Sequence, residues 1–154
     1  RRQVSLFPCW EGWRIVSPEA DAVHGPQVVS YLDRTENPPE FRWMHVFRGR
    51  FAIERTIFLP ADAQTLELLV CRPSGTPVVR LEVLADGQSL GDTAVPERGA
   101  ATLPEPFRVD VSQLKGKKVT VRIVLGTESP AEEAQCEWYL LRVIRTGSVN
   151  SGQG

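Results

Sequence analysis

The chain has 154 residues, of which 42% are hydrophobic and 24% are charged, and 18 Lys and Arg side chains oppose 19 Asp and Glu side chains to leave a net charge of −1. This composition is ordinary for one soluble globular domain. A nearly neutral balance provides no electrostatic footprint for nucleic acid or for an anionic membrane, and no apolar run approaches the roughly 18 residues that cross a bilayer. We therefore expect a single domain that neither binds nucleic acid nor inserts into a membrane.

The apolar pattern predicts strands rather than helices. Twelve Pro and twelve Gly residues interrupt every long helical periodicity, whereas apolar and polar residues alternate in several segments, as is typical of strands with one buried face. In chain order, the predicted strands cover residues 13–16, 27–32, 41–47, 51–59, 66–71, 79–85, 107–111, 119–125 and 138–144. The last segment is apolar on both faces except at Arg142, which indicates a central strand.

Turn signals separate these segments. Asp86-Gly87 predicts a tight hairpin, because Gly adopts the positive φ that such a turn needs. Residues 115–118 predict another turn, in which three lysines most simply promote solubility. Short strands at a spacing of about 8–12 residues predict an all-β fold, a single antiparallel jelly-roll β-sandwich of about eight to ten strands.

The chain ends and the cysteines suggest a larger context. The chain starts without Met, and residues 147–154 are rich in Gly and Ser, so we expect residues 1–146 to form the domain and residues 147–154 to form a flexible linker or tail in a longer protein. Three cysteines cannot form a closed disulfide framework, and their spacing fits no zinc site. Cys71 ends an apolar run and is expected to be a buried free thiol. One bridge between Cys9 and Cys136 stays open if the domain is exported.

A series of motifs follows in a characteristic order from about residue 41. Leu59-Pro60-Ala61 ends one strand, a later strand enters the Asp86-Gly87 turn, and Glu137-Trp138 opens the last strand. Between them, the segment 109–117 reads V-D-V-S-Q-L-K-G-K and leads into an alternating strand. This order resembles the galactose-binding-like β-sandwich, a jelly roll common in accessory modules of large bacterial proteins. The resemblance covers residues 41–146, and residues 1–40 are poorly matched N-terminal strands.

The resemblance implies a non-catalytic binding module, often for carbohydrate, within a longer bacterial protein that acts outside the cell or in the periplasm. It implies no cofactor except the structural Ca²⁺ site that some members of this family have. Because members also bind other ligands, the fold alone does not settle the ligand.

A sugar site requires an aromatic platform and a few polar groups on a rigid scaffold. Trp43 and His45 share one face of their predicted strand, and an outward pair would form such a platform. Arg72 and Ser74 follow one strand and Glu133 precedes another, so these three would meet if both loops lay at the same end of the sandwich. Trp138 is expected in the core. The predicted ligand-binding residues are Trp43, His45, Arg72, Ser74 and Glu133.

The sequence also supports other interpretations. The acidic loop 128–135 offers carboxylates for Ca²⁺ but is more simply a solvated loop. Four clustered arginines suggest either a basic stripe for an acidic glycan or ordinary ion pairs: Arg42, Arg48, Arg50 and Arg55.

The chain has two His and no catalytic motif, so we expect no enzyme. The alternative function is a structural or protein-interaction module that binds a partner or neighbouring domain through an apolar face near Phe7, Trp10 and Trp13.

Overall fold

Ten β-strands form the described part of this protein. The computed structural model describes residues 12–16, 29–33, 40–99 and 103–146, with the backbone alone for 29–33 and 40–44. One short 3₁₀ turn, Ser112–Leu114, accompanies the strands in these ranges. The strands are β1 (Arg14–Val16), β2 (Val29–Asp33), β3 (Glu40–Arg48), β4 (Arg50–Phe58), β5 (Ala63–Cys71), β6 (Val79–Ala85), β7 (Gln88–Ala94), β8 (Phe107–Asp110), β9 (Lys118–Thr127) and β10 (Glu133–Arg145).

The strands form two five-stranded sheets. Sheet I has the order β1-β4-β9-β6-β7, and sheet II has the order β2-β3-β10-β5-β8. Every strand pair in both sheets is antiparallel. The predicted all-β, antiparallel jelly-roll sandwich is confirmed.

The alternation of side chains explains how the two sheets pack. Along β9, Val119, Val121, Ile123 and Leu125 are buried, while Arg122 between them lies on the outer face. The inner residues of both sheets form one apolar core, and each buried Val, Leu or Ile contributes about 1.5–3 kcal/mol to folding. The polar faces of the strands are therefore the surfaces left for a ligand.

Two strands show the strength and the weakness of the sequence pattern. β10 occupies the centre of sheet II, as its two apolar faces predicted, and Trp138 is buried in the core as expected. The prediction contained no counterpart of β7, because its sequence, QSLGDTA, has no apolar alternation. β7 is an edge strand of sheet I. One of its sides has no neighbouring strand among the described residues, and one of its faces is not packed against sheet II.

The Asp86-Gly87 turn is confirmed as a tight hairpin. Asp86 and Gly87 have φ values of 49° and 83°, which is the positive φ at both central residues that a type I′ turn requires. The Asp86 carboxylate accepts a hydrogen bond from the Thr120 N–H at 2.9 Å, and the Asp86 N–H donates to the Thr120 carbonyl at 2.9 Å. This turn therefore joins the β6–β7 hairpin to β9.

The buried thiols are free. Cys71 is a buried free thiol, as predicted, and burial raises its pKa to about 11. Cys136 is also a free, buried thiol, and burial raises its pKa further, while Cys9 lies outside the described residues. Neither described thiol is a ready nucleophile, because the thiolate is the reactive form. No helix in the ranges that the structure describes is long and apolar enough to cross a membrane.

Candidate functional site

The predicted loop residues lie near one end of sheet II but have separate partners. β5 ends at Cys71, and β10 begins at Glu133 and runs antiparallel to β5. The Arg72 guanidinium donates to the Thr76 carbonyl at 2.7 Å and to the Val95 carbonyl at 3.3 Å. Its carboxylate partner is Glu97 at 3.3 Å. Arg72 thus holds together the loop around it.

Glu133 and Ser74 do not join Arg72. The Glu133 carboxylate lies 3.9 Å from the guanidinium of Arg48, which also donates to the Ala131 carbonyl at 2.8 Å. Ser74 is exposed at the tip of its loop. The structure therefore contains no hydrogen bond or ion pair among the three side chains, and their role in ligand binding stays a prediction.

His45 lies in the core rather than on an exposed platform. Its side chain is 0% exposed, and its Nδ1 accepts a hydrogen bond from the Trp138 Nε1–H at 2.9 Å. The ring is 4.4 Å from the ring of Phe51. Burial lowers the pKa of His45 to about 3, so the imidazole is neutral near pH 7. The expectation of an outward His45 is corrected by this packing.

Trp43 has a known place in the sheet. It lies on β3 and pairs with Ser30 on β2 and Trp138 on β10. Its side chain lies outside the described residues, so its role as a platform stays a prediction. Trp13 is buried in the core, and Trp10 lies outside the described residues.

A surface pocket on the outer face of sheet I offers a different site. Gly126 on β9 pairs with Arg50 on β4 and with Arg80 on β6. Val124, two residues earlier on the same face, extends the floor of this pocket. Glu82 on β6 completes one wall, and the volume is about 280 Å³.

Gly126 adds no side chain to the space between its two cross-strand neighbours in the pocket. A Cβ at this position would lie 3.5 Å from the Cγ of Arg50, which is ordinary van der Waals contact. The pocket would therefore fill, without a backbone clash, if a larger residue stood there. Gly126 and the two arginines come from three strands that are neighbours only in the sheet.

The charged groups of the pocket retain open hydrogen-bonding capacity. Arg80 and Asp92 form an ion pair of 3.1 Å in which both side chains are largely exposed. Arg50, Glu82 and Glu128 also line the pocket, and none of the three has an ion pair or side-chain hydrogen bond with any residue in the described ranges. Guanidinium donors and carboxylate acceptors thus face the same small space.

The structure identifies these residues where the sequence pattern alone did not. The cluster of arginines resolves into different roles: Arg48 pairs with Glu133, whereas Arg50 lines the pocket. The alternation in β6, with Leu81 and Val83 buried, already places Glu82 on the polar face. That signal identifies a solvent-facing strand surface, but the pocket depends on which strands are neighbours.

The described residues give no metal centre. No group of three or more His, Cys, Asp or Glu side chains within them is arranged to share a metal ion. The acidic residues Glu128, Glu132 and Glu133 are exposed. The structural Ca²⁺ site implied by the sequence resemblance stays a prediction.

Comparisons with known proteins bear on the fold. No protein-family model matches the chain, and no curated protein matches it in sequence. Among solved structures, it is similar to a family 61 carbohydrate-binding module in complex with β-1,4-galactotriose, with a TM-score of 0.57, 13% identity, and coverage of 94% of this chain and 99% of that chain. It is also similar to the family 11 carbohydrate-binding module of the cellulosomal cellulase Lic26A-Cel5E of Clostridium thermocellum, with a TM-score of 0.54, 7% identity and 94% coverage of each chain.

A third similar structure is the K1 cleaved adhesin domain of Lys-gingipain from Porphyromonas gingivalis W83, with a TM-score of 0.59, 10% identity, and coverage of 89% of this chain and 92% of that chain. At these identities the similarity concerns the fold. The chain therefore has the β-sandwich fold of carbohydrate-binding modules, as its sequence resemblance predicted.

Proposed function

We propose that this protein is a non-catalytic carbohydrate-binding module and that the pocket on sheet I receives a sugar ring. The observation that carries the proposal is the set of side chains around Gly126 whose hydrogen-bonding groups the described residues leave unused: Arg50, Glu82 and Glu128. The fold shared with modules that include a galactotriose complex supports the same ligand class.

The chemistry of the pocket suits the hydroxyl groups of a sugar. Each hydroxyl is both a donor and an acceptor, so it can accept from the guanidinium of Arg50 and donate to the carboxylate of Glu82. Hydrogen bonds to charged groups contribute about 1.5–3 kcal/mol each. The described residues that line the pocket include no aromatic side chain, so Val124 and the Cα of Gly126 take the place of the aromatic platform beneath the C–H face of the ring. The volume of about 280 Å³ lies just below the range of roughly 300–1,000 Å³ that is typical of ligand pockets, which suits one sugar unit.

The wider proposal concerns the setting of the module. By resemblance to accessory modules, it acts without turnover in a longer, exported bacterial protein and brings that protein to a glycan. A structural Ca²⁺ ion, if one belongs to the domain, supports the loops rather than the chemistry of binding.

A filled pocket tests the proposal. The substitution Gly126→Leu places a side chain on the floor between Arg50 and Arg80 without removing a polar group. We expect it to weaken binding of a neutral oligosaccharide, identified on a glycan array with Ca²⁺ and again with EDTA, by at least about tenfold, because it occupies the ligand volume. Isothermal titration calorimetry measures the change.

The matched control is Ser89→Leu, which adds the same side chain to an exposed position of β7 outside the pocket. It should bind as the native protein does. Unchanged binding by a folded Gly126→Leu variant would exclude the pocket as the site. A blank glycan array with folded protein would reject carbohydrate binding and favour the protein-interaction module.

A further inference from the structure

The end of sheet I opposite the pocket carries an exposed aromatic ring. Phe58 is 66% exposed, more than the other exposed large apolar side chains of the described residues, which are Ile15, Val78 and Leu103. Its neighbour Ile57 is buried in the core, so Phe58 lies on the outer face at the end of β4. Exposure of a Phe ring without a packing partner costs free energy that burial would recover.

Polar groups lie beside this ring. Lys118 on β9 is directly across from Phe58, and the next pair on the same face is Thr56 with Thr120. The two Thr hydroxyls are exposed and hydrogen-bonded to each other at 2.9 Å. Because cross-strand neighbours on one face are within side-chain reach, the ring, the hydroxyls and an ammonium group form one surface.

The turn that precedes β9 adds two more positive charges. Lys115, Lys117 and Lys118 are the only lysines of the chain, and all three are exposed. The turn is attached to the end of β4, because the Leu59 N–H donates to the Lys117 carbonyl at 2.9 Å and the Gly116 N–H donates to the Leu59 carbonyl at 2.9 Å. The backbone of the lysine turn is therefore held at the end of β4 that carries Phe58, and Lys118 lies across from Phe58.

These lysines are not neutralised by the fold. Every ion pair within the described residues uses an arginine, and none uses a lysine. The carboxylate of Asp110 accepts from Ser112, and that of Asp62 pairs with Arg145. Asp86 accepts from the Thr120 N–H. A local cluster of three positive charges thus stays open on a protein whose net charge is −1.

We propose that this surface, formed by Phe58, Thr56, Thr120 and the lysine turn 115–118, binds an acidic glycan, a chain of sugars that bear carboxylates. The C–H face of a sugar packs on the Phe58 ring, as apolar surface packs on an aromatic side chain, and the ammonium groups bind the carboxylates as point charges. Three charges and one ring are a small footprint for nucleic acid or a membrane, and the net charge opposes both.

The inference deepens the proposed function, since it rests on glycan binding and names acidic sugars as the ligand class of a second surface. It is tested by calorimetric titration of the full chain with tetragalacturonate and, separately, with β-1,4-galactotriose. We expect the affinity for the acidic tetramer to fall by about tenfold between 50 and 500 mM NaCl, because screening weakens exposed charge pairs.

The decisive variant replaces Lys115, Lys117 and Lys118 by Gln. We expect it to lose about tenfold in affinity for the acidic tetramer and to bind galactotriose as the native chain does. Replacing the same three lysines by Arg keeps the charge and should retain the acidic affinity within about threefold. Phe58→Ser should weaken acidic binding without changing its salt dependence, because the ring carries no charge.

Each outcome distinguishes the two proposals. Binding of galactotriose without tetragalacturonate overturns the acidic site and leaves carbohydrate binding in place. An acidic affinity that the Gln variant does not change also overturns it. Failure to bind tetragalacturonate overturns the acidic surface whatever the result with galactotriose, whereas carbohydrate binding as a whole is rejected only by a blank glycan array. Binding of anionic phospholipid vesicles in place of glycans assigns the lysine turn to a membrane surface instead.

Discussion

The outer faces of the two sheets differ in how they use their charged side chains. On sheet II, the Glu67 carboxylate accepts hydrogen bonds from Arg108 and Arg142, both at 2.7 Å. Glu137 on the same sheet pairs with Arg98 at 3.2 Å. The charges described on the centre of this face thus satisfy one another.

Among the described residues, the outer face of sheet I carries paired charges near its middle and unpaired charges toward one end. Near its middle, Glu54 accepts from Arg122 at 2.9 Å and from Arg14 at 2.7 Å, and the hydrogen bond from Arg122 above all holds the pKa of Glu54 below its usual range. Toward one end of the same face, Arg50 and Glu82 line the pocket without such partners.

Charged side chains that pair with one another stabilise the fold, whereas charged side chains without a partner are available to bind a ligand. A nearly buried carboxylate between two arginines has lost most of its water, and its partners replace that hydration. An exposed charge without a partner keeps its water and can exchange it for a ligand at small cost to the fold. The predictions below therefore compare a structural position with a binding position wherever the chain offers both.

The largest expected effect concerns Glu67. Its side chain is 4% exposed, while those of its partners Arg108 and Arg142 are 53% and 26% exposed, so Glu67→Ala leaves one exposed and one partly buried cation without a counterion. We expect the free energy of unfolding to fall by about 3 kcal/mol, as measured by urea denaturation. The matched substitution Glu82→Ala on sheet I should change it by no more than about 0.5 kcal/mol. Equal losses in the two variants would contradict the distinction between the faces.

A second prediction concerns the pH dependence of the core behind sheet II. The pKa of His45 is lowered by burial from 6.5 to about 3, so between these values the unfolded chain takes up a proton that the folded chain does not. The contribution to stability is fully present above pH 6.5 and decreases by about 1.4 kcal/mol per pH unit as the pH falls through this window. Urea denaturation from pH 7 to pH 4.5 measures the slope.

The control for this slope is His45→Gln, which keeps an acceptor for the Trp138 Nε1–H but does not titrate. It should lose stability at pH 7 through altered packing and show a flatter dependence on pH. If both proteins have the same slope, another group is responsible for the acid sensitivity.

The smallest expected effect concerns the turn that positions sheet I. Asp86→Ala places Ala at a φ of 49° and removes the acceptor for the Thr120 N–H, and we expect a loss of about 1–2 kcal/mol. Asp86→Asn tolerates the same backbone conformation and keeps an acceptor, so its loss should stay near or below about 0.5 kcal/mol. Thermal unfolding compares the two, and equal destabilisation would show that the turn contributes little.

The fold followed from local patterns more fully than the site did. Alternation along β9 and the two apolar faces of β10 predicted a strand and its place in a sheet, because each depends on residues close in sequence. β7 escaped prediction because an edge strand needs no continuous apolar face. The sequence prediction placed His45 on the surface. The structure places it in the core, where its Nδ1 accepts a hydrogen bond from Trp138, 93 residues away in the chain, and a local pattern cannot reveal such a partner.

By itself, the sequence determined the all-β class and the Asp86-Gly87 turn, since each follows from a short-range pattern of apolar, polar and turn residues. The burial of Trp138 was expected from the resemblance to the galactose-binding-like sandwich. The tertiary structure alone decided that Arg50 and Arg80 flank Gly126 and that Glu67 lies between two arginines. The physical reason is register: a strand pairs with a neighbour distant in the chain, and a shift of one residue would reverse which side chains share a face.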